Sequence, residues 1–191
     1  MRFQLISACV LGLGLGIVLA GRELSRVGIH QGYSPAQPIA FSHRIHAGES
    51  KIPCLYCHFG ARKSRYAGIP ADSVCMNCHS ILSTQTREVE KLKEALLQHR
   101  PIAWVKVHNL PDFVYFNHSQ HVLSGVACQI CHGPIETMDR VKQVSPLTMG
   151  WCLKCHRAHA GISTSNLERA VLSLRRRPNA VAGLDCGKCH Y

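Results

Sequence analysis

Phe41-Ser42-His43-Arg44-Ile45-His46 followed by Cys54-Leu55-Tyr56-Cys57-His58, and Phe116-Asn117-His118-Ser119-Gln120-His121 followed by Cys128-Gln129-Ile130-Cys131-His132, are two copies of one pattern. Each copy reads Phe-x-His-x-x-His and then Cys-x-x-Cys-His. His43 precedes Cys54 by 11 residues, and His118 precedes Cys128 by 10. A second Cys-x-x-Cys-His closes each copy. It is Cys75-Met76-Asn77-Cys78-His79, 21 residues after Cys54, and Cys152-Leu153-Lys154-Cys155-His156, 24 residues after Cys128. The repeat is about 75 residues long, and copies of this kind bury their apolar faces against each other. It covers 41–80 and 116–157. A fifth pentapeptide, Cys186-Gly187-Lys188-Cys189-His190, stands outside the duplication at 186–190.

Ten of the eleven cysteines sit in these five motifs. Cys-x-x-Cys-His is the attachment signature of c-type haem: the two thiols form thioethers with the haem vinyl groups, and the adjacent His is carried to the iron. Five disulfides would use the same cysteines but leave the His after every second Cys without a reason. Zinc knuckles come in pairs, and they do not require the adjacent His either. The expectation is five covalent haem c groups, with Cys54, Cys57, Cys75, Cys78, Cys128, Cys131, Cys152, Cys155, Cys186 and Cys189 as attachment residues. His58, His79, His132, His156 and His190 are then the proximal iron ligands.

A low-spin electron-transfer haem needs a sixth ligand, usually His or Met. The repeated Phe-x-His-x-x-His supplies four, His43, His46, His118 and His121. At i and i+3 on a helical turn the two rings share a side but sit one turn apart, so each can reach a different iron. The fifth place is expected for His108, in Val107-His108-Asn109-Leu110-Pro111, with Met149 as the alternative. His99 follows a helix, His159 is placed to bond a propionate, and His30 lies near the membrane end.

The 191 residues suit one domain. Only 6% are aromatic, so porphyrins are expected to supply the apolar bulk. The formal charge of +11 invites a nucleic-acid or membrane-surface reading. The haem propionates offset much of it, no aromatic-interleaved basic patch is visible, and nucleic-acid binding is not expected. Phe3 to Gly21 is an uncharged apolar run of 19 residues between Arg2 and Arg22, long enough to cross a bilayer. A cleaved signal peptide ending near Val18-Leu19-Ala20 competes, but the charged n-region is a single Arg. The expected organisation is a transmembrane anchor over 1–22 and a haem domain over 23–191. Haem c is attached outside the bacterial cytoplasmic membrane, so a single-pass anchor places that domain on the periplasmic side.

Regular structure is expected to be sparse: a mostly irregular and α fold around a haem-packed core, preceded by one N-terminal transmembrane helix. The soluble helices are expected at Ser83 to His99, capped by Ser83 or Thr84, and at Asn166 to Arg176, ending in the basic run Arg175-Arg176-Arg177. Gly60, Gly133 and Gly183 are candidates for tight turns or close approach. Trp104, Trp151, Phe113 and Tyr115 are expected to pack on porphyrin faces.

The repeated unit resembles class III-type small multihaem cytochromes c. The resemblance extends through Val107-His108-Asn109-Leu110-Pro111-Asp112-Phe113-Val114-Tyr115-Phe116-Asn117-His118, Gly125-Val126-Ala127-Cys128, Cys131-His132-Gly133-Pro134 and Leu147-Thr148-Met149-Gly150-Trp151-Cys152. These stretches are similar to the pentahaem cytochrome c subunits of bacterial alternative complex III. That likeness implies an electron-transfer subunit of a quinol-oxidising membrane complex. Its implied partners are an iron–sulfur subunit of molybdopterin-oxidoreductase type, integral quinol-binding subunits, and a monohaem cytochrome c as acceptor. Two other readings compete. A self-contained quinol dehydrogenase would need a quinol pocket near the first haem, where His30 is the sole candidate base. A multihaem reductase would need one open iron, and all five motifs here keep their His.

Overall fold

The computed structural model describes residues 2–24, 27–82, 86–159 and 182–191, with side chains described from Val10 onward. Eight α-helices occur among these residues: α1 (Arg2–Leu24), α2 (Cys54–Cys57), α3 (Gly60–Lys63), α4 (Asp72–His79), α5 (Arg87–Leu97), α6 (His118–Leu123), α7 (Cys128–His132) and α8 (Met149–His159). A π-turn at Arg44–Glu49 and 3₁₀ turns at Ile135–Thr137 and Cys186–Lys188 complete the regular structure. The described residues contain no strand. The chain is thus helical and irregular, as its sparse periodicity requires.

Every Cys-x-x-Cys-His lies on a helical turn or at its end. One turn sets both thiols on one side and aims the following His across them. The first His pair sits at a π-turn, with His43 as its N-cap residue, whereas the second starts α6. The duplicated sequence therefore adopts two kinds of helical turn.

The two repeats pack on each other reciprocally. The segment after the first motif, α3, packs against α6, which carries the second His pair. The segment after the third motif, Ile135–Thr137, packs against the π-turn that carries the first His pair. The backbone bonds repeat this exchange. Arg44 N–H donates to Met138 O at 3.0 Å, and Ser119 N–H donates to Ser64 O at 3.1 Å. Arg44 and Ser119 each follow the first His of their pair, and Ser64 and Met138 each lie ten residues after the first Cys of their motif. Each repeat thus holds the other's ligand turn by an equivalent bond, the geometry of an isologous pair.

Gly48 permits one side of this exchange. A Cβ there would stand 2.2 Å from Glu136 O. Gly60 approaches backbone in the same way, with Ala67 O 2.6 Å from where its Cβ would be. Gly133, directly after the third motif, has φ +73°, which glycine adopts freely. Gly183 meets only the flexible Lys188 side chain.

α5 braces the approach to the first His pair. Thr86 caps it by accepting from Val89 N–H at 3.3 Å, and Val89 and Leu92 face inward. Glu88 accepts from Ala40 N–H at 2.6 Å and pairs with Lys91, whose ammonium also reaches Pro38 O. The cap is Thr86; the proposed start at Ser83–Thr84, and the helix at Asn166–Arg176 with its arginine run, lie outside the described residues.

Among the described residues the buried apolar side chains are Ala61, Val89, Leu92, Met138 and Leu147. Gln143 is fully buried and joins three segments. Its N–H donates to Tyr33 O and its carbonyl accepts from Gly32 N–H. Its Oε1 accepts from Asn109 N–H at 2.8 Å, and its Nε2 donates to Ser145 O at 3.1 Å. The leader strap at 31–34 and the strap carrying His108 are thereby fixed to one side chain.

The apolar residues of α1 from Val10 to Leu19 are all at least half exposed. Among the described residues no helix is long and apolar enough to cross a membrane.

Candidate metal centres

Four histidine pairs face each other at one spacing. His43 and His58 have ring centroids 6.4 Å apart with planes 6° from parallel. His118 and His132 repeat this at 6.4 Å and 11°. His46 and His79 lie 6.0 Å apart at 55°, and His121 and His156 lie 6.0 Å apart at 55°. A metal bound at about 2 Å by one nitrogen of each of two opposed imidazoles sets the centroids roughly 6 Å apart. Each pair joins the His of one motif to one His of a Phe-x-His-x-x-His turn. The first His of each turn faces the first motif of its repeat, and the second faces the second motif. The duplication is therefore reproduced in distance and in ring angle.

Hydrogen bonds select the nitrogen that faces the metal. The Nδ1–H groups of His58, His156 and His190 donate to Gly68 O (2.7 Å), Gly183 O (2.8 Å) and Phe113 O (2.8 Å). Those of His46, His118 and His121 donate to Ser42 O (2.8 Å), Arg65 O (2.9 Å) and Asn117 O (2.9 Å). A carbonyl only accepts, so the proton sits on Nδ1 and the lone pair on Nε2. Such a bond orients a ligand imidazole and raises its basicity. Burial, then His58 and His46, holds His43 down at about 4. Burial, then His108 and His118, holds His132 at about 4. Both rings are neutral at pH 7, the form that binds iron.

The phenylalanine of each turn locks both rings. Phe41 meets His43 edge-on at 4.9 Å and stacks on His46 at 4.3 Å. Phe116 meets His118 edge-on at 4.8 Å and lies over His121 at 4.5 Å. One side chain thus sets the two ring planes at a large angle to each other. The aromatic position of the sequence pattern carried this signal.

The cysteines give the motifs a spatial order. Burial raises the Cys57 thiol, and after burial the neighbours Cys54 and Cys78 raise it further. Burial raises Cys128 first, then its neighbour Cys54. Burial pushes Cys131 up to about 11, helped by Cys155 and Cys152, and burial followed by Cys189 raises Cys152. The adjacent motifs are therefore second, first, third, fourth and fifth. Cys54 and Cys128 are equivalent residues of the two repeats, so the first and third motifs meet where the repeats meet.

The fifth motif is fastened beside the second His pair. Tyr115 N–H donates to Cys189 O at 2.8 Å, and Tyr115 stacks on Tyr191 at 4.7 Å. The Arg65 guanidinium lies 5.3 Å from the Tyr115 ring and 5.7 Å from the Tyr191 ring. Phe113 is 82% exposed, so its contribution here is its carbonyl, not its ring.

His108 is brought elsewhere than to His190. Its Nε2 lies 3.2 Å from His132 Nδ1, with the rings edge to face at 4.4 Å. It touches the proximal ring on the nitrogen turned away from His118. Met149, the alternative, begins α8 and is 60% exposed. His30 and His99 are exposed. His159 differs from both: its Nε2 is buried and has no hydrogen-bond partner among the described residues.

These features fit haem c. Each motif lies on or at the end of a helical turn, and the four paired rings stand at the spacing of two axial ligands.

Residues 114–191 match the family model for cytochrome c7 and related cytochrome c. Cytochromes of this kind carry covalently bound haem c. The chain is also similar to the "Menaquinone reductase, multiheme cytochrome c subunit" of Nitratidesulfovibrio vulgaris (strain Hildenborough). The two are 26% identical over 153 residues, an alignment spanning 68% of this chain and 73% of that protein.

Proposed function

We propose that this chain is the electron-transfer subunit of a quinol-linked membrane oxidoreductase of the alternative complex III kind. It carries five covalent haem c groups and no substrate site of its own. The observation that carries this reading is the set of four opposed histidine pairs. Each bound haem supplies a one-electron Fe(III)/Fe(II) couple. The protein contributes positions and environment. Ten cysteines anchor the groups, the carbonyl-bound Nδ1 atoms hold the axial rings, and Phe41 and Phe116 fix their planes. The likeness to a menaquinone reductase cytochrome subunit supports a quinone-linked assembly.

The partners follow from the same reading. Integral subunits bind the quinol, an iron–sulfur subunit of molybdopterin-oxidoreductase type passes electrons in, and a monohaem cytochrome c or another periplasmic acceptor takes them out. Although no helix is long and apolar enough to cross a membrane among the described residues, the full uncharged run from Phe3 to Gly21 is read as the anchor in the bacterial cytoplasmic membrane, with the haem domain on the periplasmic side. The apolar, exposed surface of α1 from Val10 to Leu19 supports that role, because a helix apolar on all sides belongs in protein or lipid.

The test compares the purified chain with its native assembly. Both are expected to show five covalent haems, all low-spin when oxidised. The assembly is expected to be reduced by a menaquinol analogue, and the isolated chain by dithionite alone. Quinol oxidation by the isolated chain would instead make it a quinol dehydrogenase. A high-spin iron that readily binds nitrite would make it a reductase.

A further inference from the structure

We infer that the first repeat holds its two irons at a higher potential than the second repeat holds its two, because one ligand ring of each first-repeat pair lacks an Nδ1 acceptor. The inference rests on the reading of the facing histidines as axial ligands given above.

The facing pairs match across the duplication in spacing and ring angle. Their Nδ1 bonds do not match. In the second repeat both rings of each pair are bonded. His118 and His132 donate to Arg65 O and His108 Nε2, at 2.9 and 3.2 Å. His121 and His156 donate to Asn117 O and Gly183 O, at 2.9 and 2.8 Å. In the first repeat one ring of each pair is bonded, His58 to Gly68 O at 2.7 Å and His46 to Ser42 O at 2.8 Å. The Nδ1 atoms of the facing rings, His43 and His79, are buried and have no hydrogen-bond partner among the described residues. Buried polar atoms are nearly always bonded, and an exception in a native structure calls for a reason, a redox role among them.

The packing accounts for both missing bonds. The second turn takes two carbonyls from the first repeat: Ser119 N–H donates to Ser64 O, and both His118 N–H and its Nδ1–H reach Arg65 O. The first turn takes Met138 O through Arg44 N–H. Asp139, at the position equivalent to Arg65, offers its carboxylate instead, accepting from Ser42 Oγ at 2.6 Å and Arg44 Nε at 3.0 Å. His43 is the N-cap residue of a π-turn, whereas His118 opens α6, so the two rings enter their turns differently. His156 bonds to Gly183, which lies beyond the duplicated segments. The first repeat has no equivalent residue to offer His79.

An acceptor on Nδ1 raises the basicity of a ligand imidazole, and such partners change metal affinity about tenfold or more. A more basic ring favours Fe(III), so the pair with one acceptor favours Fe(II). The duplication thereby acquires an electron-accepting half, 41–80, and an electron-donating half, 116–157.

The test is a potentiometric titration of the native assembly followed by EPR, with covalent haems first counted by mass. The near-parallel pairs and the crossed pairs are each expected to lose their signals in two steps, about tenfold apart in redox ratio, or roughly 60 mV for one electron. His43→Ala is expected to remove the higher step of the near-parallel set and His118→Ala the lower. His46→Ala and His121→Ala are expected to do the same in the crossed set. His108→Phe deletes the acceptor of His132 and leaves every axial ring in place. It is expected to narrow the near-parallel gap and leave the crossed gap unchanged. Equal potentials within each set, the opposite order in the ligand variants, or an unmoved gap in His108→Phe would overturn the inference. A missing haem or a high-spin iron at any of the first four motifs of the unmodified protein would overturn the axial-pair reading itself, and the inference with it.

Discussion

The rings of His43 and His58 lie within 6° of parallel, with centroids 6.4 Å apart, although 14 residues of chain separate them. His46, on the same turn as His43, meets His79 at 55°. Phe41 accounts for the difference, since it presses edge-on to one ring and flat against the other. The second repeat arrives at the same two angles through Phe116. Two equal sequence patterns thus produce two matched kinds of centre in each half of the molecule.

Removal of a single distal ring has a local effect. His43→Ala is expected to leave one high-spin, cyanide-binding iron and four low-spin irons. His118→Ala is expected to do the same at the third motif. Optical titration with cyanide reads both variants.

Phe41 acts on two centres at once. Phe41→Ala is expected to change two of the low-spin EPR signals and leave the others unmoved, whereas Phe116→Ala is expected to change the other pair. Losing a large aromatic side chain also costs about 3–5 kcal/mol of stability where it is buried. Phe41 is only half-buried, so its cost falls below that range.

His108 accepts the His132 Nδ1–H where His58, His156 and His190 use backbone carbonyls. Burial, and then His118, keeps His108 neutral and therefore able to accept. A neutral imidazole nitrogen is a stronger acceptor than an amide oxygen. It raises the basicity of His132 and favours the oxidised iron. His108→Phe is expected to raise the potential of that haem alone, by roughly 60 mV for a tenfold change in its redox ratio. His108→Gln, which keeps an acceptor, is expected to retain most of the original value. Potentiometry at the third haem checks both.

Gln143 carries a structural load. Gln143→Ala removes the acceptor for Asn109 N–H and is expected to destabilise the fold by about 1–3 kcal/mol. Gly48→Ala sets a Cβ against Glu136 O and is expected to cost a similar amount, about 1–3 kcal/mol of overpacking. Gly150→Ala, with nothing within 4 Å, is the neutral comparison. Chemical denaturation measures all three.

The haem-attachment signature is local, so the sequence could point to cytochrome c chemistry at five places, and the likeness of residues 114–191 to the cytochrome c7 family agrees with covalent haem c. The duplicated Phe-x-His-x-x-His also singled out His43, His46, His118 and His121, the four rings that stand opposite motif histidines. Pairing was not legible, since ring partners lie 14 to 35 residues apart and only the reciprocal packing brings them together. The motif order was hidden for the same reason: the first and third motifs meet across the two repeats. His108 stood in an apolar strap, as a ligand would, but Gln143 holds that strap beside His132. The cap of α5 moved from Ser83–Thr84 to Thr86, within the ordinary uncertainty of a helix start.

The most direct measurement is low-temperature EPR of the fully oxidised protein in its native membrane assembly. Nearly parallel axial rings give rhombic low-spin signals, and strongly crossed rings give more anisotropic ones. Among the four facing pairs, two rhombic and two more anisotropic signals are expected, with the two of each kind changing together in neither repeat alone. Four indistinguishable signals, or a high-spin iron at any of the first four motifs, would contradict the paired-histidine arrangement.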